Sequence, residues 1–392
     1  MHLGVYQEPV HTDGAGYDTY GPFARYLNGL ARHFDQVTVF APTTAEDTYF
    51  SGHPLLAGNL TVVPLPFFMT HAQAYRKAFR IWRAFRRHAR GLDAVIARGT
   101  APLAYLLYLL TPKRCPFLYH FASDPFEIIR TSPKYRGPKG WFARAAYGLE
   151  FAIQKYIVRR NFAFASGQAV CERIRRITPN VEGVVTSALA EEDYFGREDT
   201  CRDGPIRLLY VGYLRPEKRV DDLLRAAGLL RDRGVQVRVD VAGEGAIRSD
   251  LQKLGDELGL SGQVWFHGYV RMGPPLNALF NAADIFVLPS ISEGSPKVVL
   301  EAMAHSLPVV ATAVGNVPEM LEEGSRGVLV PPLAPEKLAE GIARLVDDGP
   351  FRRECIRGGY TFARQHSVDE FVRTVAERVK ALVAQRRQGR EP

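Results

Sequence analysis

Two carboxylates eight positions apart, Glu293 and Glu301, frame the stretch of this chain best suited to chemistry. They follow the apolar run Asp284–Pro289 and enclose Gly294, Ser295, Pro296, Lys297 and Val298. Ser295 reads as an N-cap and Pro296 as the first helical residue, where a missing N–H costs nothing. Glu301 then falls about two turns into the helix. If the segment were helical throughout, those eight residues would rise about 12 Å. That separation suits a molecule with sugar hydroxyls at one end, a ribose at the other and a diphosphate between. A helix N-terminus between the carboxylates offers free N–H groups and the positive end of the dipole, both favourable to phosphate. A nucleotide sugar fits that description.

Short apolar, β-rich runs alternate with longer amphipathic segments along the whole chain, the pattern of parallel α/β sheets. Strands are expected near 3–7, 37–42, 60–65, 94–98, 117–121, 162–165 and 181–185, with helices near 19–33, 72–90, 102–110, 140–160 and 169–177. The stretch 191–205, rich in acidic residues, Arg and Gly, interrupts the pattern and reads as a linker. Beyond it, strands are expected near 206–212, 236–242, 264–267, 285–288, 309–312 and 327–330. Helices are expected near 220–233, 247–258, 276–281, 296–305, 317–322 and 335–347. The division is therefore residues 1–190, a linker, and residues 206–366. A capping box at Ser367–Glu370 opens a final helix to about residue 385. Ligands of such sheets sit at the carboxyl ends of the strands.

The segment Glu293–Ala304, with Pro308–Glu319 after it, resembles the signature of family 4 retaining glycosyltransferases of the GT-B superfamily. The resemblance is strongest over residues 206–330. It implies two Rossmann-like domains facing a cleft, an acceptor-side N-terminal domain, a donor-binding C-terminal domain, and a last helix (367–392) that crosses back to the first. It also implies roles. The loop Gly212-Tyr213-Leu214-Arg215-Pro216-Glu217-Lys218 resembles the family's basic loop, placing Arg215 and Lys218 on the donor diphosphate. Cations there stabilise charge on the departing phosphate. Gly243, in Gly243-Glu244-Gly245, matches a turn near the ligand, and Tyr269 and Val270 match the segment beside the nucleobase. Glu301 is expected on the ribose, and Glu293 on the transferred sugar. Pro296 departs from the Gly common in the family, so Ser295 and Lys297 must replace the contact of its lost N–H.

In the first half, Gly14 and Gly16 resemble the family's glycine-rich first loop, at the base of a helix. His120, ending the run Phe117–Phe121, is expected to face the cleft near the sugar, with Asp124 in the following loop. A retaining outcome implies front-face displacement, in which departing phosphate oxygen helps deprotonate the acceptor hydroxyl. Expected catalytic residues are therefore Glu293, Arg215, Lys218 and His120. The sequence has no Asp-x-Asp, so no metal and no cofactor are expected.

The net charge of +8 favours acidic partners. Residues 71–90 hold seven Lys or Arg and no Asp or Glu, interleaved with Tyr75, Phe79, Trp82 and Phe85. This stretch reads either as a helix lying on an anionic membrane or as an amphipathic helix with a solvated basic face. No nucleic-acid motif accompanies it. Four scattered cysteines without a Cys-x-x-Cys pair argue against a disulfide framework or zinc site. Met1–Tyr6 enters a strand at once, and the longest apolar run is about ten residues, too short to span a bilayer. A cytoplasmic protein, soluble or peripheral on the inner membrane face, is expected. Its acceptor would be a lipid-linked or cell-envelope glycan. The alternatives are a nucleotide-sugar epimerase or hydrolase, and a non-catalytic nucleotide-sugar-binding partner.

Overall fold

The computed structural model describes residues 1–6, 9–46, 52–99, 101–121, 137–201 and 204–389, the side chains of 137–147 and 169 excepted. The chain forms two compact units. Met1–Ala188 and Val368–Pro392 make the first, and Leu189–Ser367 the second.

The first unit is built on seven parallel strands in the order β6-β4-β1-β7-β8-β9-β10. They are β1 (His2–Tyr6), β4 (Gln36–Thr44), β6 (Leu60–Pro66), β7 (Ala94–Arg98), β8 (Phe117–Phe121), β9 (Phe162–Ser166) and β10 (Val181–Val184). Every residue of β7, β8 and β9 is buried, because a parallel strand covered on both faces must be apolar throughout. The returning helix Val368–Arg387 packs on the helix Gly21–Ala31. Contact is close because Gly29 has no side chain: a Cβ there would lie 3.0 Å from Val372. Phe371 stacks on Tyr26, with ring centres 5.3 Å apart.

Two expectations fail in this unit. Gly14 and Gly16 are not at a helix base. They form the tip of a hairpin between β2 (Val10–Thr12) and β3 (Tyr17–Thr19), which continues to β5 (His53–Pro54). The tip satisfies itself: Asp13 accepts the N–H groups of Ala15 (2.9 Å) and Gly16 (2.8 Å), and Thr12 donates to the Gly16 carbonyl (2.7 Å). The residue that opens the first helix is Gly21. The basic stretch is likewise two helices, His71–Arg76 and Ala78–His88, broken at Lys77, whose side chain turns back to the Phe67 carbonyl. Thr70 and Gln73 close the first of them reciprocally, Thr70 accepting from Gln73 N–H and Gln73 from Met69 N–H.

The second unit is a six-stranded parallel sheet in the order β13-β12-β11-β14-β15-β16. Its strands are β11 (Ile206–Val211), β12 (Val237–Ala242), β13 (Val264–Gly268), β14 (Ile285–Leu288), β15 (Val309–Thr312) and β16 (Val328–Val330). The chain reverses its direction of growth between β11 and β14, and the loops leaving those two strands flank the crevice there. The reading of the helix after β14 needs correction. It runs from Lys297 to Ala304, with Pro296 in extended backbone (ψ 106°) as its N-cap; Ser295 caps nothing. Pro296 cannot donate, and its carbonyl takes the first helical bond, from Val299 N–H at 3.1 Å. Glu301 consequently stands just over one turn in, about 6 Å along the axis from Lys297. A seventeen-residue helix, Gly349–Gln365, was not expected. It packs on the Lys297–Ala304 helix where Gly359 meets Met303. Residues 191–201 lie against the second unit: Phe195 N–H bonds the Ala304 carbonyl, and Asp199 takes two bonds from Arg352.

At the switch point of the first sheet, between β1 and β7, Glu150 is buried. It accepts from Leu103 N–H at 2.8 Å and lies 3.2 Å from His71 Nε2. Burial pushes its carboxyl up to about 7, with the Leu103 N–H and the Tyr75 hydroxyl pulling the other way. The folded chain thus holds this proton more tightly than the unfolded chain. The resulting stability is complete below the ordinary value of 4.5 and is lost as pH rises through about 7. Glu150→Gln should therefore melt higher relative to the parent as pH is raised from about 5 to about 8. Melting curves that shift in parallel would refute the assignment.

Candidate functional site

The two loops at the second sheet's switch point meet in one ion pair. Lys218, in the short helical turn Pro216–Lys218 after β11, donates to Glu293 Oε1 at 2.7 Å from the loop after β14. The Glu293 side chain is only 9% exposed and that of Lys218 22%, so each limits the cost of keeping the other charged out of water. An ammonium has three donors; the bond to Glu293 leaves others for a further anion. Tyr210, buried at the end of β11, feels Glu293: burial first, then this carboxylate, hold its phenol far above the ordinary range. Ser290, fully buried just past β14, has a hydroxyl without a partner among the described residues. Neither residue is marked by any sequence motif; only their places at strand ends could have suggested them.

The loops are locked backbone to backbone. Gly212 N–H bonds the Ala242 carbonyl (3.0 Å), Leu214 N–H that of Glu244 (2.9 Å), and Gly243 N–H that of Gly268 (2.8 Å). Ile291 N–H reaches the Glu217 carbonyl (3.0 Å), and Asn316 N–H that of Gly294 (2.9 Å). This closeness explains the glycines. A Cβ on Gly243 would stand 1.8 Å from the Gly212 carbonyl oxygen, and one on Gly315 2.0 Å from that of Glu293.

The remaining expected donor residues are distributed around this pair. Gly294, Ser295, Lys297, Val298 and Glu301 are all half-buried on the loop and first turns after β14. Arg215 is exposed, its guanidinium 4.8 Å over the Tyr213 ring. Tyr269 is 63% exposed and Val270 half-buried, just past β13. His120 belongs to the first unit and is buried completely. Its Nε2 meets Ser166 Oγ at 3.1 Å, and its ring lies between those of Phe164 and Phe371. Gly14 and Gly16 are in the hairpin tip described above. Asp124 lies outside the described residues. Among the described residues, no group of three or more metal-ligating side chains is assembled.

The model of the family "Glycosyl transferases group 1" matches residues 197–362, which contain both switch-point loops. An alpha-D-kanosaminyltransferase of Streptomyces kanamyceticus is 35% identical over 321 residues, 76% of this chain and 81% of that protein. The chain belongs to the group 1 glycosyl transferases. A D-inositol 3-phosphate glycosyltransferase of Thermomonospora curvata is 37% identical over 293 residues, covering 61% of this chain and 68% of that protein. With an uncharacterized glycosyltransferase of Methanocaldococcus jannaschii the match, 35% identical, spans 42% of each protein, less than half of that relative's length. Solved structures share the fold. Sucrose-phosphate synthase from Thermosynechococcus elongatus superposes with a TM-score of 0.77 at 19% identity, over 98% of this chain and 99% of that one. Anabaena HepE, solved in complex with UDP, gives 0.71 at 17% identity, over 97% and 99%. The two Rossmann-like parallel sheets are those of GT-B enzymes.

The two neighbouring glycines give a sharp test of the packing. A Cβ on Gly294 would meet nothing within 4 Å, whereas Gly315 has φ +57° and the Glu293 carbonyl in the way. Gly315→Ala should cost about 2 kcal/mol or more and lower the melting temperature, with Gly294→Ala close to neutral. Equal melting temperatures for the two variants would contradict this.

Proposed function

We propose that the protein transfers a sugar from a nucleoside diphosphate sugar to an acceptor hydroxyl with retention of anomeric configuration. The observation that carries the reading is the Lys218–Glu293 pair at the switch point of the second sheet, where such sheets bind nucleotides. In this reading Glu293 accepts from hydroxyls of the transferred sugar. Lys218 and Arg215 take the diphosphate, and Glu301 accepts from the ribose. The nucleobase lies by Tyr269 and Val270. Gly212 and Gly243 let the backbone come close.

Retention follows from attack on the donor's own face. The bond from the anomeric carbon to phosphate oxygen breaks and the pair goes to the nucleoside diphosphate. The acceptor oxygen bonds to that carbon, and its proton passes to the departing phosphate oxygen. Lys218 then offsets charge that grows on phosphate, an interaction stronger in the transition state than before it. The reaction needs no metal in this account, since cationic side chains and the helix N-terminus occupy that role. A sugar transferase of this type would act on the donor supplied by a nucleotidylation reaction.

With EDTA present throughout, Glu301→Ala should weaken nucleoside diphosphate sugar binding by about tenfold or more. Under the same conditions Lys218→Met should lower turnover by at least about a hundredfold. UDP-, GDP- and ADP-sugars are the donors to screen, by the melting shift that each produces. Unchanged affinity in Glu301→Ala, or activity that EDTA abolishes and metal restores, would overturn the corresponding role.

The acceptor reading rests on the helix Ala78–His88. Ile81 and Phe85 anchor it in the core, while Phe79 is 72% exposed. Arg80, Arg83, Arg86 and Arg87 are exposed and form no ion pair among the described residues. Arg86 lies 5.1 Å over the Trp82 ring. That combination of cations and exposed aromatic surface suits an anionic membrane, and so a lipid-linked acceptor. No helix among the described residues is long and apolar enough to cross a membrane. The full chain should co-sediment with anionic vesicles and be released by salt, and Arg80→Glu with Arg83→Glu should weaken the association. Equally poor binding to neutral and anionic vesicles would remove the membrane from the proposal.

A further inference from the structure

A cavity of about 580 Å³ opens in the second unit, away from the loops that hold Lys218 and Glu293. One wall is the helix Gly349–Gln365, which contributes Arg353, Arg357 and Tyr360 at i, i+4 and i+7. Arg197, Glu198, Ser306 and Thr361 form the rest of the polar lining. Ser306 fixes the cavity's place. It lies between the end of the Lys297–Ala304 helix and the start of β15, hence at the amino edge of the sheet, opposite the carboxyl-end loops.

The lining is short of negative charge. Arg357 is exposed and forms no ion pair among the described residues. Arg353 reaches Asp199 at 3.1 Å, but that carboxylate is already held by Arg352 at 2.7 and 3.2 Å. Among the described residues, Glu198 is the one carboxylate in the lining, against three guanidinium groups. Arg197 is fixed in the cavity wall. Its terminal nitrogens are spent on carbonyls at the end of the helix Pro274–Ala282: Asn281 at 3.1 Å and Ala283 at 2.7 Å. Its Nε is buried, with no acceptor among the described residues, and lies out of reach of a molecule in the cavity. The charge that a molecule in the cavity can reach comes from Arg353 and Arg357, both exposed.

We propose that this cavity binds a sugar phosphate, with the phosphate held by Arg353 and Arg357. The volume exceeds what a phosphate group fills and lies in the range of small-molecule sites. Tyr360 offers its ring to the sugar body. The site is separate from the donor loops and does not depend on the proposed transfer. It is connected to them physically: His305, next to Ser306, donates its N–H to the Glu301 carbonyl at 3.2 Å.

Calorimetric titration of the full chain tests the site, using a hexose 6-phosphate, inorganic phosphate and the free hexose as probes. The hexose phosphate should bind saturably, more tightly than inorganic phosphate, and the free hexose should not bind. Arg357→Ala, at an exposed position, should weaken hexose phosphate roughly tenfold, with Arg357→Lys intermediate. Lys218→Ala should leave this binding unchanged. No saturable binding, binding indifferent to Arg357, or binding lost in Lys218→Ala would each overturn the proposal. Inorganic phosphate binding as tightly as the hexose phosphate would overturn its sugar component.

Discussion

The bond between Lys218 and Glu293 is the contact on which the geometry of the second unit turns. A carboxylate with so little exposure is costly unless a cation stands next to it, and the same holds for a partly buried ammonium. The pair therefore ties the loop after β11 to the loop after β14, from the two sides of the sheet's switch point. Neither loop belongs to a regular element at that place, so its position comes from neighbours. Backbone bonds to the turns after β12, β13 and β15 supply it, and they require glycine at 243 and 315. Function and packing thus make the same demand on the backbone.

The first unit manages its charges differently. Glu150 and His120 are enclosed at or near the carboxyl edge of its sheet, bonded to Leu103 and Ser166. The arginines of the helix Ala78–His88 are left to solvent. Burial makes Glu150 responsive to pH near neutrality, whereas exposure makes those arginines available to a charged surface. The same chain uses cations in three ways: paired at 218, solvated along 80–87, and lining a cavity at 353 and 357.

The parallel strands were legible because burial on both faces leaves a continuous apolar run. Ala94–Arg98, Phe117–Phe121, Ile285–Leu288 and Val309–Thr312 have the bounds that such runs predict. Helix starts were harder. Ser295 looks like a cap by residue type, but the proline after it takes that place itself. The helix Gly349–Gln365 was hidden by Gly358-Gly359, each costing roughly 1 kcal/mol in a helix interior; close packing on Met303 overrides that propensity. The glutamate and lysine of the candidate site were visible through spacing and motif, their direct bond was not, and Ser290 and Tyr210 carried no signal beyond lying at strand ends. His120 was placed on the correct strand, but its packing against Phe164 and Phe371 depends on contacts distant in sequence and left no local signal.

A crystal structure of the chain with a bound nucleoside diphosphate is the most direct measurement of the central claim. The account predicts diphosphate oxygens within hydrogen-bonding reach of Lys218 Nζ and of the backbone N–H groups that open the Lys297–Ala304 helix, with ribose hydroxyls on Glu301. Diphosphate bound away from both loops, with the Lys218–Glu293 contact untouched, would contradict it.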